Sequence, residues 1–474
     1  MPTTQPHAAP YSAHTWNDAT FEAWRYKQDE AADEVAESII KSPHHHQVYQ
    51  ALSHVHKNSD LVNIEIFDKI DGGNDTTEDH DRLVTLLNQY FRDTQLMSYL
   101  TEQNEAVQQS SKFFNNYAFE ATMALAVRSL LKQYAAFRST NVLVFTKLLT
   151  KYPHRRILET MQFVMDVMDP QGYGANGHAI RSIQKLRLIH ALIRARLNNS
   201  LHDVAQFGLW NEKEWGNPIN QQDMIFAVHT FSIEVLDGLI ASGEKVTSTQ
   251  IDSYYLTWHY IGKALGVKDE INPMTYAEGK QLQARIYQKE FTEHNPNGPV
   301  LAEPLLNFMQ QILPTHPPRE HIYAIIKLYN NQDEATRKIF EKNLKIPISQ
   351  AHDHFLRRIK MGDWLWHKFN FIRYLFTPKS KKALFYHALA MKNFNLLTAI
   401  VSLEKTWSGR DFRISDGLGE LASQQDQTAQ KEGLSLPFKI AHKFVDDLNH
   451  KHPSFLVDLV HKLFFKSAHK NPMS

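Results

Sequence analysis

The amino-acid sequence predicts an all-α chain, and three observations predict it. Glycine is scarce, at 18 of 474 residues, below the usual share of about 7%. Hairpin signals, glycine-containing turn pairs between alternating apolar runs, are few. Apolar residues instead recur at helical spacing in stretch after stretch: about 31–41, 81–91, 117–135, 154–168, 178–197, 221–242, 250–265, 322–342 and 383–403.

In chain order, residues 1–20 are rich in Pro, Thr, Ser and His and are expected to form a disordered tail. The run DGGNDTTEDHD at 71–81 reads as a loop that ends in the cap of the next helix. DPQGYGANG at 169–177, NEKEWGNPIN at 211–220 and EHNPNGP at 293–299 read as turns. So does LPTHPPRE at 313–320, whose prolines lack the backbone donor that a helix needs. From about 351 the chain is again helical but more basic. Its segment KFNFIRYLFTPKSKK, 368–382, reads as a snorkelling amphipathic helix followed by a solvated turn, with peripheral contact to a membrane surface as the alternative. The expected organisation is a tail at 1–20, a helical domain at 21–350 and a helical C-terminal extension at 351–474.

With 42% apolar and 22% charged residues, the composition is that of a globular protein with ample core. The absence of cysteine removes disulfides, thiolate-held zinc, iron–sulfur clusters, cysteine nucleophiles, thiolate-ligated haem and covalently attached haem. Histidine is abundant, at 26 residues, and the formal charge is +1. No overall field therefore favours nucleic acid. The first residues have no basic and apolar regions of a secretion signal, and no apolar run approaches the roughly 18 residues of a membrane span. A cytoplasmic location is the expectation. No HExxH, P-loop, GxGxxG, GxSxG or EF-hand pattern is present.

One helix concentrates the chemistry. In IRSIQKLRLIHALIRARL, 180–197, Ile183, Leu186, Ile193 and Leu197 form an apolar stripe with His190 in its middle. Arg187 and Arg194 lie about 60° and 40° around the axis from His190, displaced by roughly 4.5 and 6 Å along it. Two buried guanidiniums are costly without an anion, and they would hold the imidazole neutral and free to donate to a metal. A haem supplies an iron for the imidazole, propionates for the arginines and an apolar macrocycle for the surroundings. The competing reading is a core histidine bonded to backbone, with arginines that reach the surface or pair with acidic side chains. In the preceding helix, PHRRILETMQFVMDVMD, Arg156, Thr160 and Phe163 lie at i, i+4 and i+7, with Glu159 one turn from Arg156. The turn at 169–177 folds this helix back, so its polar groups are expected opposite His190 across a pocket.

The run from RRILETMQF to LIHALIRARL resembles the catalytic core of the latex-clearing-protein type of rubber oxygenase and of the related fungal farnesyl-cleaving oxygenases. DEAADEVAESI at 29–39, SLLKQYAAFRSTNVLVFTKLL at 129–149, GNPINQQDMIFAVHTFSIEVLDGL, YYLTWHYIGKALGVKDEINPMTYAEG and NPNGPVLAEPLL are similar to further blocks of that family, in order, so that about 25–350 is covered. The resemblance implies a globin-like helical domain that binds haem b, with dioxygen as co-substrate. It implies that His190 is the proximal iron ligand, that Arg187 and Arg194 steady it and the haem, and that Arg156 and Thr160 lie on the distal side. The sequence departs from the family at Glu159, where the rubber oxygenases have a distal lysine, and near Thr140, where they have a proposed catalytic glutamate. Glu159 is the substitute base that proximity offers.

The leading expectation is therefore a haem b-dependent oxygenase that cleaves a carbon–carbon double bond of an apolar unsaturated substrate, an isoprenoid or other alkene lipid, with Arg156, Thr160 and Glu159 as catalytic residues. The alternative is a non-catalytic haem sensor or carrier. A third reading is a haem-free helical scaffold, in which Arg187 and Arg194 pair with carboxylates. Among the other histidines, His44, His45, His46, His54 and His56 are not expected to form one metal site, because adjacent histidines point in different directions, and His229, His259 and His321 are expected in the core or at the surface.

Overall fold

A computed structural model describes residues 17–65, 78–146, 153–198, 210–291, 294–312, 318–330 and 334–351, and among these residues there are helices and no β-strand. The longer helices, numbered in chain order, are α1 (Glu30–Ile40), α2 (Glu78–Arg92), α3 (Glu105–Asn116), α4 (Ala118–Ala124, continued through Leu125–Ser129 and Leu130–Ala135), α5 (Pro153–Met168) and α6 (Ala179–Asn198). They are followed by α7 (Gln221–Phe231), α8 (Ile233–Ser242), α9 (Ser248–Ala264), α10 (Tyr276–Glu290), α11 (Gly298–Ile312) and α12 (Arg319–Tyr329). The all-α expectation is met. The C-terminal extension expected at 351–474, its segment 368–382 included, lies outside the described residues beyond Ala351.

Local chemistry explains where the helices begin. Asn17 caps the short helix Asp18–Ala23 by accepting from the Thr20 amide at 2.8 Å, so structure begins within the stretch expected to be tail. Asn104, Asn220, Thr247 and Thr275 cap α3, α7, α9 and α10 in the same way, the last two with reciprocal capping boxes to Gln250 and Glu278. The segment expected as a turn at 211–220 holds a four-residue helix, Glu212–Trp215, ended by Gly216 at φ +74°. Glycine tolerates that conformation, and its Cα also packs where a Cβ would stand 2.6 Å from the Arg25 carbonyl.

Two interruptions shape the centre. Helix α4 widens into a π-helical segment at Leu125–Ser129, a form that recurs at functional sites. The apolar stretch 221–242 bends at Ser232, whose hydroxyl donates back to the Val228 carbonyl at 2.8 Å. By length and composition alone Gln221–Ser242 is long and apolar enough to cross a membrane, but most of it is buried inside the protein, and it carries the buried His229 and Glu234.

Helices α5 and α6 form a hairpin at the core. The turn between them is pinned by Asn58, whose side-chain amide donates to the Gly172 and Gly174 carbonyls at 2.8 and 2.6 Å. A bond from Ser182 Oγ to Asp166 Oδ2, at 2.5 Å, joins the two helices directly. Helix α5 also packs on α3 and α11, and α6 on α1 and α9. Helix α6 is buried almost all round, polar positions included. Arg181 donates to the Asp60 and Phe91 carbonyls and Lys185 to that of Val55, which is how a helix with a narrow apolar stripe tolerates full burial.

Candidate active site

The site builds outward from His190, midway along α6. Burial, and then the nearby charges of Arg194 and Arg156, push its imidazole down to about 3, so it is neutral at physiological pH and holds a lone pair. Its Nδ1 is shielded from solvent and has no hydrogen-bond partner. The backbone partner proposed for a merely structural core histidine is therefore missing. Arg156 lies on α5, the helix that packs against α6, and its charge adds to the lowering.

Arg187 and Arg194 do not await an external anion. Arg187 forms a two-pronged pair with Asp29, Nε to Oδ2 at 2.6 Å and Nη2 to Oδ1 at 2.7 Å. Arg194 pairs with Asp33, Nε to Oδ1 at 2.6 Å. Both carboxylates stand at the start of α1, inside the block DEAADEVAESI. Asp29 occupies the helix-capping position yet caps nothing, because both of its oxygens are engaged by Arg187. The sequence-based premise that propionates must neutralise these arginines is thereby corrected: the counter-ions belong to the chain. One donor remains. Arg194 Nη2 is buried without a partner, while Nη1 makes only a long contact of 3.5 Å to the Ile219 carbonyl. Ile219 holds a left-handed φ of +49°, a strained conformation for a β-branched residue.

On the facing helix, Thr160 Oγ1 donates to the Arg156 carbonyl at 2.8 Å. Arg156 is about one-third exposed and forms an ion pair with the buried carboxylate of Glu159. Glu159, the substitute base that proximity suggests, is thus held in a charge pair within its own helix. Thr140 is engaged as well: its hydroxyl donates to the Ala136 carbonyl at 2.7 Å. The structure brings Arg156, Thr160 and Glu159 together on one turn of α5.

Residues that the sequence does not single out complete the picture. Asp29 and Asp33 are two. Tyr134, buried near the end of α4, is a third: burial raises its phenol well above the ordinary range, and Arg156 is close enough to oppose the shift. Gly266 is a fourth. At φ +95° it lets a turn pack against the Arg187 and Asp29 pair, and a Cβ there would stand 2.2 Å from Asp29 Oδ2. Its only local signal is a lone glycine after a helix.

A haem is the cofactor that the sequence implies, and the residues fit it at the iron. His190 is neutral, partly buried and unbonded at Nδ1, and Arg194 Nη2 is a buried donor one helical turn away. They fit less fully at the propionates, since Arg187 is engaged by Asp29. Among the described residues no group of three or more histidine or acidic side chains is arranged to hold a bare metal ion. The crowded histidines are not such a group: His44 and His80 pack edge to face at 4.3 Å between centroids.

Comparison with known proteins bears on the family and the fold. Residues 117–340 match the family model described as ER-bound oxygenase mpaB/B'/Rubber oxygenase, catalytic domain. The rubber oxygenase of Streptomyces sp. (strain K30) is 26% identical over 159 residues, which span 33% of this chain and 37% of that relative. The structure of latex clearing protein LCP in the closed state superposes with a TM-score of 0.56 at 20% identity, covering 79% of this chain and 91% of the other. The two share a fold.

Proposed function

Residues 117–340 belong to the rubber oxygenase catalytic-domain family, and from that premise we propose that the protein is a haem b-dependent oxygenase that uses dioxygen to cleave a carbon–carbon double bond in an apolar, isoprenoid-like substrate. The observation that carries this reading is His190, a neutral, partly buried imidazole whose shielded Nδ1 has no partner. A bound haem would supply the redox-active iron at which dioxygen is activated. His190 would hold that iron, and Arg194, through its unengaged Nη2, would donate to a carboxylate of the macrocycle. Arg156 and Thr160 would face the oxygen side, where a guanidinium and a hydroxyl hold developing negative charge. Glu159 balances Arg156 and keeps it in place. The apolar side chains of α5 would exclude water and orient an alkene chain.

One observation favours the haem-free scaffold: Arg187 and Arg194 already have carboxylate partners. Against it, a scaffold would leave His190 Nδ1 buried and unsatisfied for no return, at a cost of about 1–3 kcal/mol. The Glu159 pair with Arg156 favours the non-catalytic carrier, because it engages the carboxylate that would otherwise serve as the base.

Two measurements separate the three readings. The visible spectrum of the purified protein, with and without added haemin, is expected to show a Soret band that His190→Ala shifts or abolishes. No band in either sample sinks the haem assignment and leaves the scaffold. The reduced, haem-loaded protein is then incubated with isoprenoid alcohols of several lengths. Oxygen uptake with carbonyl products is expected, whereas reversible carbon monoxide binding without turnover would establish the carrier.

A further inference from the structure

A largely enclosed cavity of about 10 Å³ lies on the flank of α5, roughly the room that one water-sized particle needs. Met161, Val164 and Met165 of α5 form one wall, Ala121 and Leu125 of α4 another, and Val235 of α8 closes it. All six are buried. Leu125 opens the π-helical segment of α4, so the widened turn borders the void. Two polar side chains reach the lining, and neither offers it a hydrogen. Thr122 Oγ1 donates to the Ala118 carbonyl at 2.7 Å and Tyr254 Oη to the Phe231 carbonyl at 3.1 Å. A water placed there would find no donor and at most two oxygens to accept from it, the bare minimum of the two to four polar partners that hold waters in buried sites. Cavities of this character remain dry and accept small apolar molecules instead.

The position of the void gives it a use. Met161 follows Thr160 directly, and Val164 lies one turn further along the same side of α5. The cavity is therefore one side chain away from the α5 face that carries Arg156 and Thr160. We propose that it is a holding site for dioxygen, an apolar gas small enough for the space and too weak an acceptor to need a donor. An isoprene unit is several times too large for it. The inference rests on the oxygenase reading for its purpose, and on the cavity's size and lining for its ligand.

The test uses the full chain with carbon-13-labelled alanine, leucine, valine and methionine methyl groups, in its oxidised form, under nitrogen and then under oxygen. Paramagnetic dioxygen should broaden the methyl signals of Ala121, Leu125, Val164 and Met165 several-fold more than those of Leu83 and Leu87, which are equally buried in α2. Two single substitutions that fill the void, Ala121→Val and Val235→Leu, should each remove the excess broadening, so that a folding failure in one leaves the other to decide. Equal broadening at all buried methyls, or an ordered water in the cavity at high resolution, overturns the proposal. In turnover assays both variants should raise the KM for oxygen several-fold at unchanged kcat, and an unchanged KM overturns the supply role. If the protein takes no haem, the oxygenase reading fails while the methyl spectra still decide the gas site.

Discussion

Gly266 and His229 show how single residues set the tolerances of this fold. At Gly266 a side chain would meet both a left-handed φ of +95° and the Asp29 carboxylate at 2.2 Å. The backbone strain alone costs about 1–2 kcal/mol, and displacing Asp29 from Arg187 adds to it. Gly266→Ala is therefore expected to lower the urea midpoint by an amount equal to about 2–4 kcal/mol, whereas a loss within about 0.5 kcal/mol, the range of ordinary surface changes, would show that the turn relaxes freely. His229 is completely buried, has no partner at either ring nitrogen and is pushed down to about 3, by burial first. Its folded value lies below the unfolded one of about 6.5, so the stability tied to its neutral form is full above about pH 6.5 and is lost as pH falls toward 3. His190 acts in the same direction. Between pH 6 and 4 the unfolding free energy of His229→Phe should accordingly fall less steeply than that of the natural protein, by about 1.4 kcal/mol per pH unit. Parallel slopes in urea titrations across that range would place a proton on His229 in the folded state.

Pairs of helices carry the next level of specificity, and the contact of α1 with α6 is the clearest case. Asp29 and Asp33 are four residues apart on α1, Arg187 and Arg194 seven apart on α6, and the two ion pairs lock one helix over the other. Removing one member of a buried pair strands its partner, at about 3–5 kcal/mol. Asp33→Asn should approach the lower figure, since Asp33 is about one-fifth exposed while Arg194 is almost wholly buried. The double variant Asp33→Asn with Arg194→Met should recover part of that loss in thermal unfolding, and strictly additive effects would deny the coupling. This register was not legible in the sequence. Each helix shows its own apolar period, but no local pattern says which acidic start crosses which basic face, so from the sequence alone the arginines call for an outside anion. Helix α6 itself was legible to within a residue at each end, because Ile183, His190 and Leu197 repeat at helical spacing. Helix α3 was not, since buried serines, Ser110 and Ser111, interrupt its apolar stripe between Val107 and Phe113. Pro304 hid α11. The start of α10 did have a readable signal in Thr275 and Glu278, a capping box that precedes a mostly polar helix.

At the scale of the whole molecule, two of the buried polar centres differ in how completely they are paired. Around Glu234 of α8, Arg128 and Lys132 of α4, Tyr287 of α10 and, through Asp237, Tyr276 and Lys280 form one charged network that ties three helices together. Burial pushes the Glu234 carboxyl up, but Lys132 and Arg128 outweigh it and hold the group well below the ordinary carboxylate range. Every charge there has a partner, which is the condition for a buried network to hold helices in one arrangement. The second centre, at His190, lacks that completeness: His190 Nδ1 and Arg194 Nη2 are buried one turn apart without partners. A ligand that satisfies both must stabilise the folded chain by mass action. At a free haemin concentration one hundred times its Kd the gain is about 2.7 kcal/mol, and for a protein of this size that is a rise in Tm of roughly 3 °C. His190→Ala should lose most of the rise, and Arg194→Met should lose part of it. Arg187→Met should lower Tm with and without haemin by the same amount, because that arginine serves Asp29 and leaves the ligand to its neighbour. An equal haemin-induced shift in the natural protein and in His190→Ala would mean that haemin binds elsewhere. That result would remove the observation on which the assignment of His190 as the ligand rests.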